Sequence, residues 1–509
     1  MRQANLLLLN IFATIARMVA TVFMGLWTTR LVYRTLGEEG FGVYAAALAL
    51  TLFLTLVVDA VGAAAQRHIA FAIGKKDLDK VRELVGTAVT LNLGLATLIA
   101  TGTWFGAGLL EHLVQAGPEH ASHLIVATRW IGLTAAVITV QAPFKSYLIA
   151  RQSIVVVTVY ELIESASRLS AALALGYLVA PTIAGYALAT CIAVGLPTLV
   201  FCGACLALLP TTRPGRPTAT GEIGRFGFWL FVGVLGWKIR TQGAQILINN
   251  LCGPVATTAY NVSLQLAMYQ NNLTAAVNRA ARPAVVTSRG GNRTDQVRAL
   301  TRGSSKLLSL CTLFFALPLL FETHAVLTLW LGDAPELMVI MVRLTLVWMS
   351  VKDLTAGHTM AIHAGGRVAM HEVGIALIDT TAMAVAAAVI YFSGAPAWSV
   401  PVAVTAGVMT QGIFKVVVFG SEASSTLSDW LVQVVARYAA TAAIGTVVAV
   451  LVQAAVPFSP ARLPLVLLAT GLSTTVCIVW IGFDASERRR IGGLIANGVS
   501  RVRNRVKSS

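Results

Sequence analysis

The sequence predicts an all-α integral membrane protein of about fourteen spanning helices, and three observations predict it. The 509 residues are 56% hydrophobic and only 12% charged, with a mean hydropathy of +0.75, whereas a soluble domain carries roughly 25% charged residues. The apolar residues come in unbroken runs of about 20 or more, the length a helix needs to cross hydrocarbon. Lys and Arg then sort between alternate loops. A β-barrel would instead show segments of about ten alternating residues, and the chain has none. Inside lipid every backbone group must pair within its own segment, so these runs are helices.

In chain order the segments are 6–32, 41–66, 84–109, 125–147, 154–179, 182–209 and 226–251, then 256–279, 304–328, 337–361, 372–392, 398–419, 431–456 and 464–483. The first is too long for the apolar core of a signal peptide and is expected to stay as a span. One set of loops holds Arg2, Lys75, Lys76, Lys80, Arg82, Arg213, Arg216, Arg225, Arg282, Arg289, Arg293, Arg298 and Arg302. The same side takes the tail with Arg488, Arg489, Arg490, Arg501, Arg503, Arg505 and Lys507. The other set holds little basic charge beyond Arg34 and Arg462, and carries Glu38, Glu39, Glu111, Glu119, Asp333 and Glu336. This positive-inside pattern places both termini in the cytoplasm and requires an even number of spans. It also accounts for the net charge of +16 without a nucleic-acid partner, since no aromatic residues interleave with the basic ones.

A weak internal repeat organises the chain. Leu36-Gly37 falls opposite Cys252-Gly253, and Tyr44 opposite Tyr260 at the same offset. The expected parts are a six-helix bundle at 1–210, a cytoplasmic linker at 211–225 and a second six-helix bundle at 226–420. Two additional helices at 431–483 and a basic cytoplasmic tail at 484–509 complete the chain.

A charge inside a membrane costs about 2.5–3.5 kcal/mol on insertion scales, so each one needs a reason. In the seventh segment Lys238, Gln242, Gln245 and Asn249 recur at helical spacing, with Arg240 nearby. The eighth adds Asn261 and Gln265, and the first adds Thr14 and Arg17. Such stripes face either a watery cavity or another helix. As cavity linings, Arg17, Lys238 and Arg240 suit phosphate oxygens, and the amides and hydroxyls suit sugar hydroxyls. The remaining deep charges are Asp59, Glu161, Glu164, Arg168, Lys352, Asp353 and Asp379. Ion pairing explains them, with proton or sodium coupling as the sharper alternative. Glu164 and Arg168 stand four apart and can neutralise each other. Lys352 and Asp353 are adjacent, so each is expected to find its partner on another helix. The six cysteines lie in or beside apolar runs without the companions a metal or redox site needs. No nucleophile elbow, P-loop, dinucleotide fingerprint or zinc-protease motif occurs. No catalytic residue, metal or cofactor is therefore expected.

The run from Arg30 to Tyr44, RLVYRTLGEEGFGVY, resembles a hallmark of bacterial polysaccharide flippases, in which an LG-x-x-G-[FY]-G-x-Y segment opens the second helix. Asp59 with Gly62, Arg67, Ala259-Tyr260-Asn261 and Arg282-Pro283 also resemble that pattern. The chain is identified by this resemblance as a member of the O-antigen (Wzx) flippase type, within the multidrug/oligosaccharidyl-lipid/polysaccharide (MOP) exporter superfamily. The resemblance implies two six-helix bundles in a pseudo-twofold V. It implies movement of an undecaprenyl-diphosphate-linked oligosaccharide across the bacterial inner membrane by alternating access, with polysaccharide polymerase or assembly proteins as further partners. Arg17, Lys238 and Arg240 are the positions it points to for the diphosphate. Many relatives carry an acidic residue early in the seventh span, where this chain has Lys238 and Arg240, which tilts the cavity toward an anionic substrate. A lipid II flippase and a cation-coupled drug exporter are the alternatives within the superfamily. A membrane enzyme of polysaccharide assembly is the alternative outside it, and it would need a large outer loop that the sequence lacks.

Overall fold

The computed structural model describes the backbone of residues 2–213, 218–291, 293–456, 462–482 and 488, with side chains from Arg17 onward except in a few short stretches. The basic tail at 484–509 lies, apart from Arg488, outside the described residues. Among the described residues all regular structure is helical, save an isolated bridge between Leu175 and Val179. The first helices are α1 (Arg2–Leu54), α2 (Leu56–Gly74), α3 (Leu78–Glu111), α4 (Pro118–Ala150), α5 (Ile154–Ala174) and α6 (Ile183–Leu208). They are followed by α7 (Thr220–Lys238), α8 (Ala244–Gly290), α9 (Thr294–Phe321), α10 (Thr323–Leu331), α11 (Glu336–Asp353) and α12 (Ala356–Gly365). The last are α13 (Val368–Ser393), α14 (Ser399–Val418), α15 (Gly420–Ala423), α16 (Leu427–Trp430), α17 (Ala436–Ala455) and α18 (Arg462–Cys477).

Among the described residues ten helices are long and apolar enough to cross a membrane, or eleven if the bent pair α10 and α11 forms one span. The chain is thus a multi-pass α-helical membrane protein. The difference from about fourteen segments has local causes. Helices α1, bent at Gly37, and α2 together cover the first two predicted segments, and the predicted segments without such a helix are the fifth, seventh and eighth. The charges Glu161, Glu164 and Arg168 in α5, and the many amides of α8, lower their hydropathy.

Two compact units are present. The first comprises Met1–Leu264, Leu329–Met341 and Ala369–Gly407, and the second Gln265–Thr328, Val342–Val368 and Val408–Ser509. In the first unit α4 packs on α3 and α6, α1 on α5, and α2 on α7. One core cluster gathers Ile69, Leu84, Val85, Phe144, Tyr147, Cys202 and Cys205. The cysteines act there as small buried side chains. In the second unit α9 packs against α12, α17 and α18, and Trp430 donates its indole N–H to the Leu354 carbonyl at 2.9 Å.

The repeat appears within the first unit as a pair of matched bends. Gly37 has φ 72°, ψ 176° and Gly253 has φ 87°, ψ 176°, a region that only glycine occupies without strain. Each glycine kinks its helix, and the helical course resumes with the following residue. That residue is Glu38 in one repeat and Pro254 in the other; a carboxylate and a proline both suit a helix start. The two bends touch. A Cβ on Gly42 would stand 1.9 Å from the Pro254 carbonyl oxygen, and the Thr258 hydroxyl donates to the Glu38 carbonyl at 2.6 Å. With an offset of 216 residues (253 minus 37), Gly42 against Pro254 and Thr258 against Glu38 are one contact seen from each repeat. A pseudo-twofold relation produces this self-complementary pattern.

Candidate functional site

The deep charges of the first unit form three groups. In the first, Arg17 on α1 and Lys145 on α4 converge on Glu161 of α5. Arg17 donates to one carboxylate oxygen, and Lys145 Nζ stands 3.2 Å from the other. Lys145 Nζ also lies 5.7 Å from the Tyr160 ring centroid. Two cations on one carboxylate leave a net positive charge, and all three side chains are partly open, at 27%, 23% and 29% exposure. One turn on, Glu164 pairs with Arg168 at 3.0 Å, as their spacing allows.

The second group joins Lys238, the last residue of α7, to Asp59 on α2 at 3.3 Å. The Lys238 ammonium also reaches the Leu52 carbonyl, in the last turn of α1, at 3.4 Å. The Asp59 side chain is 52% exposed and that of Lys238 13%. An exposed carboxylate is costly against hydrocarbon and stable beside water.

The third group is closed. Arg240 sits in a π-turn, Ile239–Gly243, that interrupts the helix. It pairs with Asp379 on α13 at 3.4 Å, with side-chain exposures of 6% and 2%. Its guanidinium lies 5.0 Å from the Trp237 ring centroid. The wide turn leaves the Arg240 carbonyl able to accept from the Tyr260 hydroxyl at 3.2 Å. Lys238 and Arg240 are two residues apart and so point to different sides of the helix: one reaches α2, the other α13.

The same π-turn shifts the phase of the polar stripe predicted along this segment. Gln242 accepts from Thr241 at 2.5 Å, and Gln245 is buried. Asn249 clamps the loop before α4: its side-chain oxygen accepts from the Gln115 N–H at 2.6 Å and its amide donates to the Gln115 carbonyl at 3.3 Å. Asn261 is half-buried. The Thr14 side chain lies outside the described residues.

In the second unit Gln265 donates to the Tyr269 hydroxyl at 3.1 Å. Lys352 and Asp353, expected to pair only with other helices, also bond each other at 2.8 Å. Each also reaches a second helix, Lys352 to Asn271 on α8 at 2.9 Å and Asp353 to Thr312 on α9 at 2.6 Å. Lys145 is the functional candidate that sequence reasoning missed. It falls inside the fourth predicted segment near its end, and the signal was its charge at that depth.

Comparison with known proteins adds the family. The family model described as polysaccharide biosynthesis protein matches residues 7–288. No curated protein matches the chain. Among solved structures, the chain is similar to the lipid II flippase MurJ in its inward closed conformation, with a TM-score of 0.69 at 10% identity, covering 92% of this chain and 98% of that one. It is similar to an inward-facing multidrug resistance MATE family transporter of the MOP superfamily, with a TM-score of 0.68 at 14% identity over 79% of this chain and 94% of that one. A third match is a MOP superfamily transporter from Pyrococcus furiosus, at TM-score 0.57 and 14% identity over 80% and 95% of the two chains. At such identities the likeness shows a shared fold. The chain belongs to the polysaccharide biosynthesis protein family and has the fold of the MOP superfamily transporters.

Proposed function

We propose that the protein is a flippase of the bacterial inner membrane. It carries undecaprenyl-diphosphate-linked oligosaccharide from the cytoplasmic to the periplasmic leaflet by alternating access, for assembly of a surface polysaccharide. In this reading both termini are cytoplasmic, the halves 1–210 and 226–420 rock about a central cavity, and the polymerase of the glycan acts downstream. The chain performs no catalytic step of its own.

The observation that carries the reading is the Arg17–Lys145–Glu161 group. It holds one more cation than anion, is partly open, and joins three helices of the family-matched region. A diphosphate entering there competes with Glu161 for two charge-assisted donors. The open Lys238–Asp59 pair supplies a second such exchange, and Asp59 is the carboxylate through which a proton or sodium ion would couple. Arg240 supports the framework around them through its buried bond to Asp379.

The test is lipid-linked glycan in a deletion strain complemented with wild type, Arg17→Ala, Lys145→Ala or Lys238→Ala at matched membrane levels. Diphosphate-linked glycan should accumulate in the cytoplasmic leaflet without the protein and be cleared by wild type, with the variants slower by about tenfold or more. Accumulation of lipid II in place of the glycan would assign the substrate to the alternative suggested by the MurJ likeness. No accumulation of either would end the flippase reading.

A further inference from the structure

The second unit contains a pocket that the proposed transport path does not use. It measures about 730 Å3 and is lined by Leu320, Phe321, His324, Arg343, Gln453 and Arg462. All six lie at or near helix ends: the last residues of α9, the start of α10, the second turn of α11, the end of α17 and the first residue of α18. By the charge asymmetry of the loops this is the outer end of the helices, where lipid headgroups lie.

One wall is built by a buried ion pair. Glu322, just past α9, is 1% exposed and accepts a hydrogen bond from a terminal nitrogen of Arg462 at 3.1 Å, with the Arg462 Nε 3.0 Å from its other oxygen in the same ion pair. Gln453 adds its amide to the same carboxylate at 3.0 Å and to the Phe321 carbonyl at 2.9 Å. Arg343 forms the other wall. Its Nε donates to the Leu320 carbonyl at 3.0 Å, and no carboxylate pairs with its guanidinium among the described residues. The pocket therefore holds two guanidinium groups against one carboxylate, with an imidazole and an amide beside them. The bland account of Arg343 is a snorkelling side chain at a helix end. Arg129 shows what that looks like. It donates Nε to the Trp104 carbonyl at 3.1 Å, and its guanidinium lies on the Trp104 ring, 5.4 Å from the centroid. Arg343 makes the same backbone bond without such a cover and faces a cavity instead.

We infer that this pocket binds a phosphate group, with the headgroup of an anionic lipid as the source the surroundings favour. A planar guanidinium matches phosphate oxygens, and the exposed apolar surfaces of α17 and α18 at Leu451, Leu465 and Leu468 would carry acyl chains from that level. The site is separate from the charges assigned to transport, so its test reads lipid retention rather than glycan movement.

The experiment uses the full-length protein in detergent, titrated with phosphatidylglycerol or phosphatidylcholine and read by native mass spectrometry for retained lipid. Phosphatidylglycerol should be retained over phosphatidylcholine. Arg343→Gln should weaken retention about tenfold, the loss of one charge-assisted contact, and Arg343→Lys should fall between. Arg129→Gln removes the same net charge and should change nothing. Millimolar inorganic phosphate is the second arm. If it displaces the lipid with the same dependence on Arg343, the site takes phosphate from either source; if it does not, the lipid headgroup is required. Equal retention by wild type and Arg343→Gln, or an equal loss in Arg129→Gln, overturns the inference.

Discussion

Removal of Asp379 offers the sharpest test of how the buried charges are organised. Asp379→Ala leaves Arg240, 6% exposed, without the carboxylate 3.4 Å away. At that distance and an effective dielectric constant of about 20, opposite unit charges attract by about 5 kcal/mol. Removing one partner of a buried pair costs about 3–5 kcal/mol, because the other charge is stranded. Arg240→Leu should cost a similar amount for the mirror reason. The double substitution to leucine removes both charges together and should be far milder than the two single costs added, since apolar replacements of buried pairs are often near neutral. The assay is thermal stability of the detergent-solubilised protein by size-exclusion recovery, with membrane abundance alongside. Each single variant should lower the apparent Tm by on the order of 5 °C or more, and the double should recover most of it. Additive losses in the double variant would refute the coupling. Wild-type stability in both singles would show that the pair carries no structural load.

Three further tests rest on the same geometry. Gly42→Val places atoms within 1.9 Å of the Pro254 carbonyl oxygen, so it should cost about 1–3 kcal/mol or more and lower membrane abundance several-fold, while Gly94→Ala, which meets nothing within 4 Å, should be silent in the same blot. Asp59→Asn should leave abundance nearly unchanged, because the amide oxygen can still accept from the Lys238 ammonium, which also reaches the Leu52 carbonyl, yet should alter the pH or sodium dependence of glycan clearance; an unchanged profile would remove Asp59 from the coupling role. For topology, a cysteine introduced at Glu39 should react with an impermeant maleimide from outside, and one at Lys76 only after permeabilisation. The reverse pattern would invert the orientation.

Much was legible from the sequence. Long apolar runs can be satisfied only as helices in lipid, so the fold class follows from composition. Leu36-Gly37 and Cys252-Gly253, with Tyr44 and Tyr260, stand at one offset and marked the repeat, though the bend that each glycine makes came only with the backbone. The four-residue step from Glu164 to Arg168 set their pairing, because an α-helix carries that step on one face.

The tertiary structure decided which charge meets which. Periodicity placed Lys238, Gln242, Gln245 and Asn249 on one stripe, but the π-turn at Ile239–Gly243 adds a residue to that turn and rotates the rest of the helix beyond it. A π-turn has no sequence signature that hydropathy can detect. Arg17, Lys145 and Glu161 stand on three helices, and their convergence depends on how α1, α4 and α5 pack. Asp379 is 139 residues from Arg240 (379 minus 240), so neither sequence neighbourhood specifies the other. Within a helix the chain's own geometry fixes neighbours. Between helices, side-chain packing does, and that information exists only once the helices have assembled.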